Sequence, residues 1–267
     1  MDTTTGFFNG LYYEIAGEGH PLVLIHGGLV NSGLWDDQFE VFASQYRTLR
    51  YDVRGFGQSK PPTSYFSNHS DLRDLLDYLG LERAYVLGLS MGGGIAIDFT
   101  LAYPDRVAAL LPIAAGLSGY HSTSSSPLRD EMNAAYERGD KDRAVELSLQ
   151  LWTDGPHRTP DQVDPTVREH IRAMTVHTFN LPDVEPWLRH LEPPAIDRLA
   201  EIHVPTLFVV GDQDVEDILK IGDLIIAHVP GAQRAVIPGT AHHLNLEQPA
   251  EFNRSVLEFL NSLHEIS

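Results

Sequence analysis

Ala84-Tyr85-Val86-Leu87-Gly88-Leu89-Ser90-Met91-Gly92-Gly93-Gly94-Ile95-Ala96-Ile97-Asp98-Phe99-Thr100-Leu101-Ala102-Tyr103 is the stretch from which the fold is read. Ala84 to Leu87 is a short apolar run rich in strand formers, the pattern of a buried parallel strand. Ile95, Ala96, Phe99 and Ala102 fall on one face of a helix that Pro104 stops. The chain must therefore reverse from strand to helix in about two residues around Ser90. A turn that tight forces the serine into a strained backbone conformation, and flanking glycines leave room for it. The hydroxyl then stands above the sheet edge at a helix N-terminus, where free N–H groups can stabilise a developing oxyanion.

Upstream of this turn, Phe7-Phe8-Asn9-Gly10-Leu11-Tyr12-Tyr13 places Asn-Gly between two aromatic runs and predicts a hairpin of edge strands. Leu22 to Ile25 reads as a fully buried strand that ends in His26-Gly27-Gly28-Leu29. Trp35, Phe39 and Phe42 then share a helical face. The two glycines let the backbone bend, so that the Gly28 amide, or alternatively that of Leu29, faces the Met91 N–H as a two-donor oxyanion hole. His26 reads as structural, held by loop backbone. Thr48 to Tyr51 predicts another strand, after which Asp52 and Arg54 are expected to pair and fix their loop. A helix over Asp71 to Leu79 leads into the nucleophile strand, and Val107 to Ala114 is a further buried strand.

Downstream, the strand and helix alternation breaks. Residues 116–199 carry a Ser/Thr-rich turn over Ser122 to Ser126, a helix capped by Asp140, and a helix started by Asp164-Pro165. Since alternation resumes afterwards, this segment is expected to be a helical lid inserted between core segments 1–115 and 200–267. Its Met132, Trp152, Met174, Phe179 and Trp187 offer apolar surface for packing and for roofing a pocket. His170 and His177 share a helical face, but no carboxylate joins them at ligand spacing, so no metal is expected. Val204 to Val210 and Ala235 to Ile237 are the last strands, running into Gly211-Asp212-Gln213-Asp214-Val215 and Pro238-Gly239-Thr240-Ala241-His242-His243. An amphipathic helix from Pro249 to Leu263 closes the chain.

The 267 residues, 42% hydrophobic, suffice for one α/β domain with an insertion. There is no cysteine, which excludes a disulfide framework and a thiolate site. A formal net charge of −18 without a basic stripe argues against nucleic acid and anionic membranes as partners. No window approaches the about 18 apolar residues of a membrane span, and the first residues lack a secretory pattern, so the expectation is a soluble, cytoplasmic protein. The expected partner is a small-molecule substrate, with the chain a monomer or homodimer and with no cofactor.

A serine hydroxyl needs a base near neutrality, itself held in one tautomer by an acid. Candidates for both lie after late strands, at the edge where open α/β sheets place their sites, in the order Ser90, Asp214, His242. The sequence resembles the α/β-hydrolase fold family over essentially its whole length, in the esterase, lactonase and C–C hydrolase branch with a helical cap. The resemblance rests on His26-Gly27-Gly28 to Trp35, Asp52-Val53-Arg54-Gly55-Phe56-Gly57-Gln58-Ser59, Gly88-Leu89-Ser90-Met91-Gly92, Gly211-Asp212-Gln213-Asp214 and Gly239-Thr240-Ala241-His242, with Glu247 and Pro249 downstream. It implies a mostly parallel sheet flanked by helices. It places the acid on Asp214 rather than Asp212, with Asp217 a distant reserve, and the base on His242 rather than His243. One departure is that Val215-Glu216-Asp217-Ile218 stands where relatives often carry a proline. A serine at position 90 also excludes the aspartate chemistry of haloalkane dehalogenases and epoxide hydrolases. The expected activity is hydrolysis of a carboxylic ester or lactone through an acyl-enzyme. The alternatives are a C–C (dienoate) hydrolase, with Arg129, Arg143 or Arg172 recognising the carboxylate, and a hydrolase-like small-ligand receptor. Leu29, Trp152, Phe179, Val215 and His243 are the candidate substrate-binding residues.

Overall fold

The computed structural model describes residues 2–122 and 125–264. The Asn-Gly hairpin forms as its sequence dictates: Asn9 (φ 48°) and Gly10 (φ 84°) both occupy the left-handed region, joining β1 (Thr3–Phe8) to β2 (Leu11–Ala16). There follow β3 (Pro21–Ile25), helix α1 (Asp36–Ala43), β4 (Arg47–Tyr51) and α2 (Asn68–Tyr78). The central unit is β5 (Ala84–Leu89), α3 (Met91–Ala102) and β6 (Val107–Ile113). Among the described residues eight strands lie in one sheet in the order β1-β2-β4-β3-β5-β6, then β7 (Leu207–Gly211) and β8 (Gln233–Ile237). β1 and β2 pair antiparallel with their neighbours, whereas β4 through β8 are parallel. Every residue of β5 and β7 is buried, which is why these strands read as continuous apolar runs rather than as alternating ones.

Between β6 and β7 the described residues form α4 (Pro127–Glu137), α5 (Lys141–Ser148) and α6 (Pro165–Thr178), with short 3₁₀ turns. Asp140 caps α5 by accepting from the Arg143 N–H, and Asp164 caps α6 by accepting from the Thr166 N–H. Of the Ser/Thr-rich turn, Ser126 caps α4, while residues 123 and 124 lie outside the described residues. One feature has no counterpart in the sequence reading: α5 runs directly into a π-helical turn, Leu149–Asp154, that carries Trp152. Helices α7 (Glu216–His228), α8 (Leu244–Glu247) and α9 (Pro249–His264) complete the chain. Phe252 of α9 packs on Trp35 with ring centroids 6.2 Å apart, both fully buried. Each such side chain contributes roughly 1.5–3 kcal/mol by leaving water.

The expected Asp52–Arg54 pair does not form. The Asp52 carboxylate is buried and accepts from the Ser32 N–H (2.8 Å) and the Gln58 N–H (2.7 Å), while Arg54 pairs with Asp71 (2.7 Å). Loop amides surround Asp52, and such donors fix a buried carboxylate as a salt bridge would. Among the described residues no helix is long and apolar enough to cross a membrane.

Candidate active site

Two loop pairs at the C-terminal ends of the parallel strands build the site. Ile25 lies opposite Gly88 in the register of β3 and β5, so the His26-Gly27-Gly28 loop leaves the sheet beside the serine turn. Ser90 sits at φ 55°, ψ −114°, a conformation that side chains seldom adopt. It is over-determined by its neighbours. The Ser90 N–H donates to the Ile113 carbonyl (2.8 Å), and the Ser90 carbonyl accepts from Gly94 (3.0 Å) and Gly116 (2.9 Å). A Cβ on Gly88 would collide with the Gly92 carbonyl, and one on Gly92 with the Ile25 carbonyl, so both glycines are required for close approach. A Cβ built on Gly28 would lie 4.0 Å from that of Met91, which puts the two candidate oxyanion residues side by side. Leu29 follows Gly28 at φ 64°.

β7 and β8 end in register, Gly211 opposite Ile237, and deliver the other two loops to the same rim. The Gln213 N–H donates to the Thr240 carbonyl (2.9 Å), and Asp212 accepts from the Gly239 N–H (2.7 Å), so Asp212 braces the histidine loop. Asp214 and His242 are both buried, and His242 Nδ1 lies 2.8 Å from Asp214 Oδ2. The other oxygen, Oδ1, accepts from the Val215 N–H at 2.7 Å. An ionised carboxylate only accepts, so His242 carries its proton on Nδ1 and presents a bare Nε2. Val215 is also the N-cap residue of α7, in an extended conformation, so the loop is formed without a proline. Asp217 is engaged elsewhere, accepting from Ser122 Oγ (2.8 Å) and pairing with Arg129 (3.2 Å).

Ser90 and His242 line one cavity of about 230 Å³ together with Gly28, Leu29, Met91, Trp152 and His243. The Trp152 ring stands 4.7 Å from that of His242. Phe179 is placed differently. It borders an adjacent cavity of about 390 Å³ that shares Gly28 and Leu29 with the first and is walled by Phe56 and Tyr136. Val215 lines a third cavity, of about 540 Å³, on another side of Asp214. Met132, expected from sequence to offer apolar lid surface, also lines the Ser90 cavity, as do Ser148, Ile171 and Thr175, which were not picked out as pocket residues. Helical periodicity gives a buried face of α6 but does not say which part of that face meets the core and which meets a cavity.

His26, His170 and His177 are bound to loop backbone. His26 donates from Nδ1 to the Gly27 carbonyl (2.7 Å) and accepts at Nε2 from the Val53 N–H (2.9 Å), which defines a neutral ring. Burial lowers its pKa, against the opposing pull of Asp52 and the Gly27 carbonyl. His170 and His177 reach the Gly33 and Gly57 carbonyls. His243 stacks edge-on to His242 and lies 3.1 Å from Thr153 Oγ1. Burial holds its pKa well below the ordinary histidine range, with His242 and His170 adding repulsion. Among the described residues no group of three His, Cys, Asp or Glu side chains could hold a metal.

Arg158 clamps the end of the π-helical turn to the histidine loop. Its five N–H groups reach the carbonyls of Asp154 (2.7 Å), Thr153 (2.8 Å) and Gly239 (2.8 Å) and both oxygens of Glu247 (2.5 and 3.1 Å). Glu247 also accepts from the Ala241 N–H at 2.8 Å, one residue before His242. The Arg158 and Glu247 side chains are 11% and 8% exposed, so removing one partner strands a charge out of water. Glu247→Ala is expected to lower unfolding free energy by about 3 kcal/mol, read from urea melts; a loss below about 1 kcal/mol overturns the clamp.

The chain matches the family described as alpha/beta hydrolase fold over residues 20–249. It is 29% identical over 263 residues to 2-hydroxy-6-oxononadienedioate/2-hydroxy-6-oxononatrienedioate hydrolase 2 of Pseudomonas putida, covering 94% of this chain and 91% of that protein. It is 28% identical over 249 residues to carboxylesterase YbfK of Bacillus subtilis (strain 168), covering 90% and 79%. The solved structure described as Est816, an N-acyl homoserine lactone degrading enzyme, superposes with a TM-score of 0.76 at 28% identity, covering 96% of this chain and all (100%) of that one. The chain belongs to the alpha/beta hydrolase fold family. Family and relatives together support a hydrolase at that level.

Proposed function

We propose that the protein is a serine hydrolase cleaving a carboxylic ester or lactone of a small, largely apolar substrate through an acyl-enzyme. The observation that carries this reading is that Ser90 and His242 wall one cavity while Asp214 fixes the imidazole. His242 Nε2 takes the Ser90 proton as Oγ attacks the carbonyl, and the Gly28 and Met91 amides hold the oxyanion. The protonated imidazole, stabilised by Asp214, returns the proton to the leaving oxygen. Water, deprotonated by the same nitrogen, then releases the acid and frees Ser90. Residues 116–199 act as the lid over this chemistry, with Trp152 of the π turn against the base.

Cleavage of a C–C bond in a dienoate is the second reading, favoured by the Pseudomonas putida relative. A Lys or Arg is the strongest side-chain partner for a substrate carboxylate there. Among the described residues no Lys or Arg lines the Ser90 cavity, and the three arginines considered from sequence are paired, Arg129 with Asp217, Arg143 with Glu131 and Arg172 with Glu146. Hydrogen bonds from Arg172 and Arg168 overcome burial to bring Glu146 down to about 2, so this partner stays ionised and keeps its arginines. The ester reading is tested with p-nitrophenyl acetate, butyrate and laurate, a γ-lactone and a dienoate, beside fluorophosphonate labelling. Ser90 is expected to carry the label, with butyrate turned over at least about tenfold faster than laurate, because about 230 Å³ accommodates a four-carbon acyl chain whole, whereas a twelve-carbon chain must extend beyond it past Gly28 and Leu29. Dienoate turnover exceeding that of every ester, or an unlabelled Ser90, rejects it.

A further inference from the structure

We infer that the acyl group of the substrate carries an uncharged oxygen substituent, a hydroxyl or ketone, that is read by Thr175, Ser148 and His243. This inference rests on the acyl-enzyme reading: an acyl group bonded to Ser90 must occupy the cavity that Ser90 lines. That cavity is mostly apolar, walled by Leu29, Met132, Trp152 and Ile171 among others, yet three buried polar side chains beyond the proposed triad border it. None of the three is needed by the fold in the way that Asp52 or Arg158 is. Thr175 is 1% exposed, and among the described residues its hydroxyl has no hydrogen-bond partner. Ser148 donates to the Val145 carbonyl (2.8 Å), which leaves its oxygen able to accept. His243 is engaged at Nδ1 by Thr153, and among the described residues its Nε2 has no partner.

Polar groups left in this state have a consequence for binding. Thr175 Oγ1 and His243 Nε2 can bond to water, but a plain alkyl chain displaces that water and leaves them unpaired. A hydroxyl or ketone on the chain restores the bonds, which turns the same groups into a filter. The substituent must be neutral. Among the described residues no Lys or Arg borders the cavity to offset a carboxylate, and burial, which lowers the His243 pKa, keeps that ring from supplying a positive charge. Room for the substituent exists: cavities of about 150 Å³ hold benzene, so about 230 Å³ accommodates roughly six to nine heavy atoms.

The experiment compares p-nitrophenyl butyrate with the 2-hydroxy-, 3-hydroxy- and 3-oxobutyrate esters, each kcat/KM divided by the ester's own hydroxide-catalysed rate. At least one substituted ester is expected to exceed butyrate by about tenfold, the worth of one well-made hydrogen bond. Thr175→Val, close in shape, should bring that ratio to within about threefold of unity, and Ser148→Ala serves if the first variant does not fold. Ratios below about threefold for all three esters with the wild-type protein overturn the inference, as does a preference that survives both substitutions. Equal turnover of all four esters ends this inference alone. No turnover of any of them, with Ser90 unlabelled by fluorophosphonate, ends the acyl-enzyme reading as well.

Discussion

Ser90→Ala is expected to lower kcat on p-nitrophenyl butyrate by about 10⁵- to 10⁶-fold, because the proposed nucleophile, base and acid would act as a unit, leaving only binding and the proposed oxyanion hole. The fold should persist. The turn is held by backbone bonds from Ile113, Gly94 and Gly116 and by the close approach of Gly88 and Gly92, none of which uses the hydroxyl. Alanine at φ 55°, ψ −114° retains the backbone strain, of order 1–3 kcal/mol. Ser90→Gly should therefore be equally inactive yet melt at a higher temperature than Ser90→Ala. Near-native turnover by purified Ser90→Ala rejects the nucleophile, and a Ser90→Gly protein that melts below Ser90→Ala rejects the strain.

The elbow was legible because its constraints are local. Strand, glycines, serine and helix follow one another, and their steric demands are met within a few residues. The same holds for the Asn9-Gly10 hairpin and for the caps at Asp140 and Asp164. Asp52 misled for the opposite reason. In sequence its nearest cation is Arg54, but the loop folds back so that the amides of Ser32 and Gln58 reach it first. Arg158 and Glu247 stand 89 positions apart, and nothing in the composition around either marks a clamp. The π turn at Leu149–Asp154 similarly has no compositional signature, yet it decides that Trp152 faces His242. Phe179 and Val215 were both read as pocket residues because they are apolar and near the site elements. The arrangement of α6 and α7 sends them to neighbouring cavities instead. Catalytic candidates sit on rigid strand ends whose order the topology fixes, whereas pocket walls depend on how inserted helices pack, which periodicity alone leaves open.

Asp214→Asn is expected to lower kcat by about 10⁴-fold while leaving the fold intact, and the reason is the direction of two hydrogen bonds. Val215 N–H can only donate, so it holds the carbonyl oxygen of the new amide where Asp214 Oδ1 now lies. The amide NH₂ is thereby turned toward His242 Nδ1 and donates to it. The imidazole must then carry its proton on Nε2, where it cannot accept one from Ser90. Two neighbouring acids provide the contrast. Asp212 is exposed and braces Gly239, and Asp217 pairs with Arg129, so neither Asp212→Asn nor Asp217→Asn meets the imidazole. Both should keep kcat within about tenfold of the parent. Because the asparagine defect is one of tautomer rather than of shape, Asp214→Asn should still bind substrate with a KM near the parent value. Steady-state kinetics on the three variants separate the outcomes. A drop confined to Asp217→Asn moves the acid to that residue, and equal activity in all three removes a carboxylate from the mechanism.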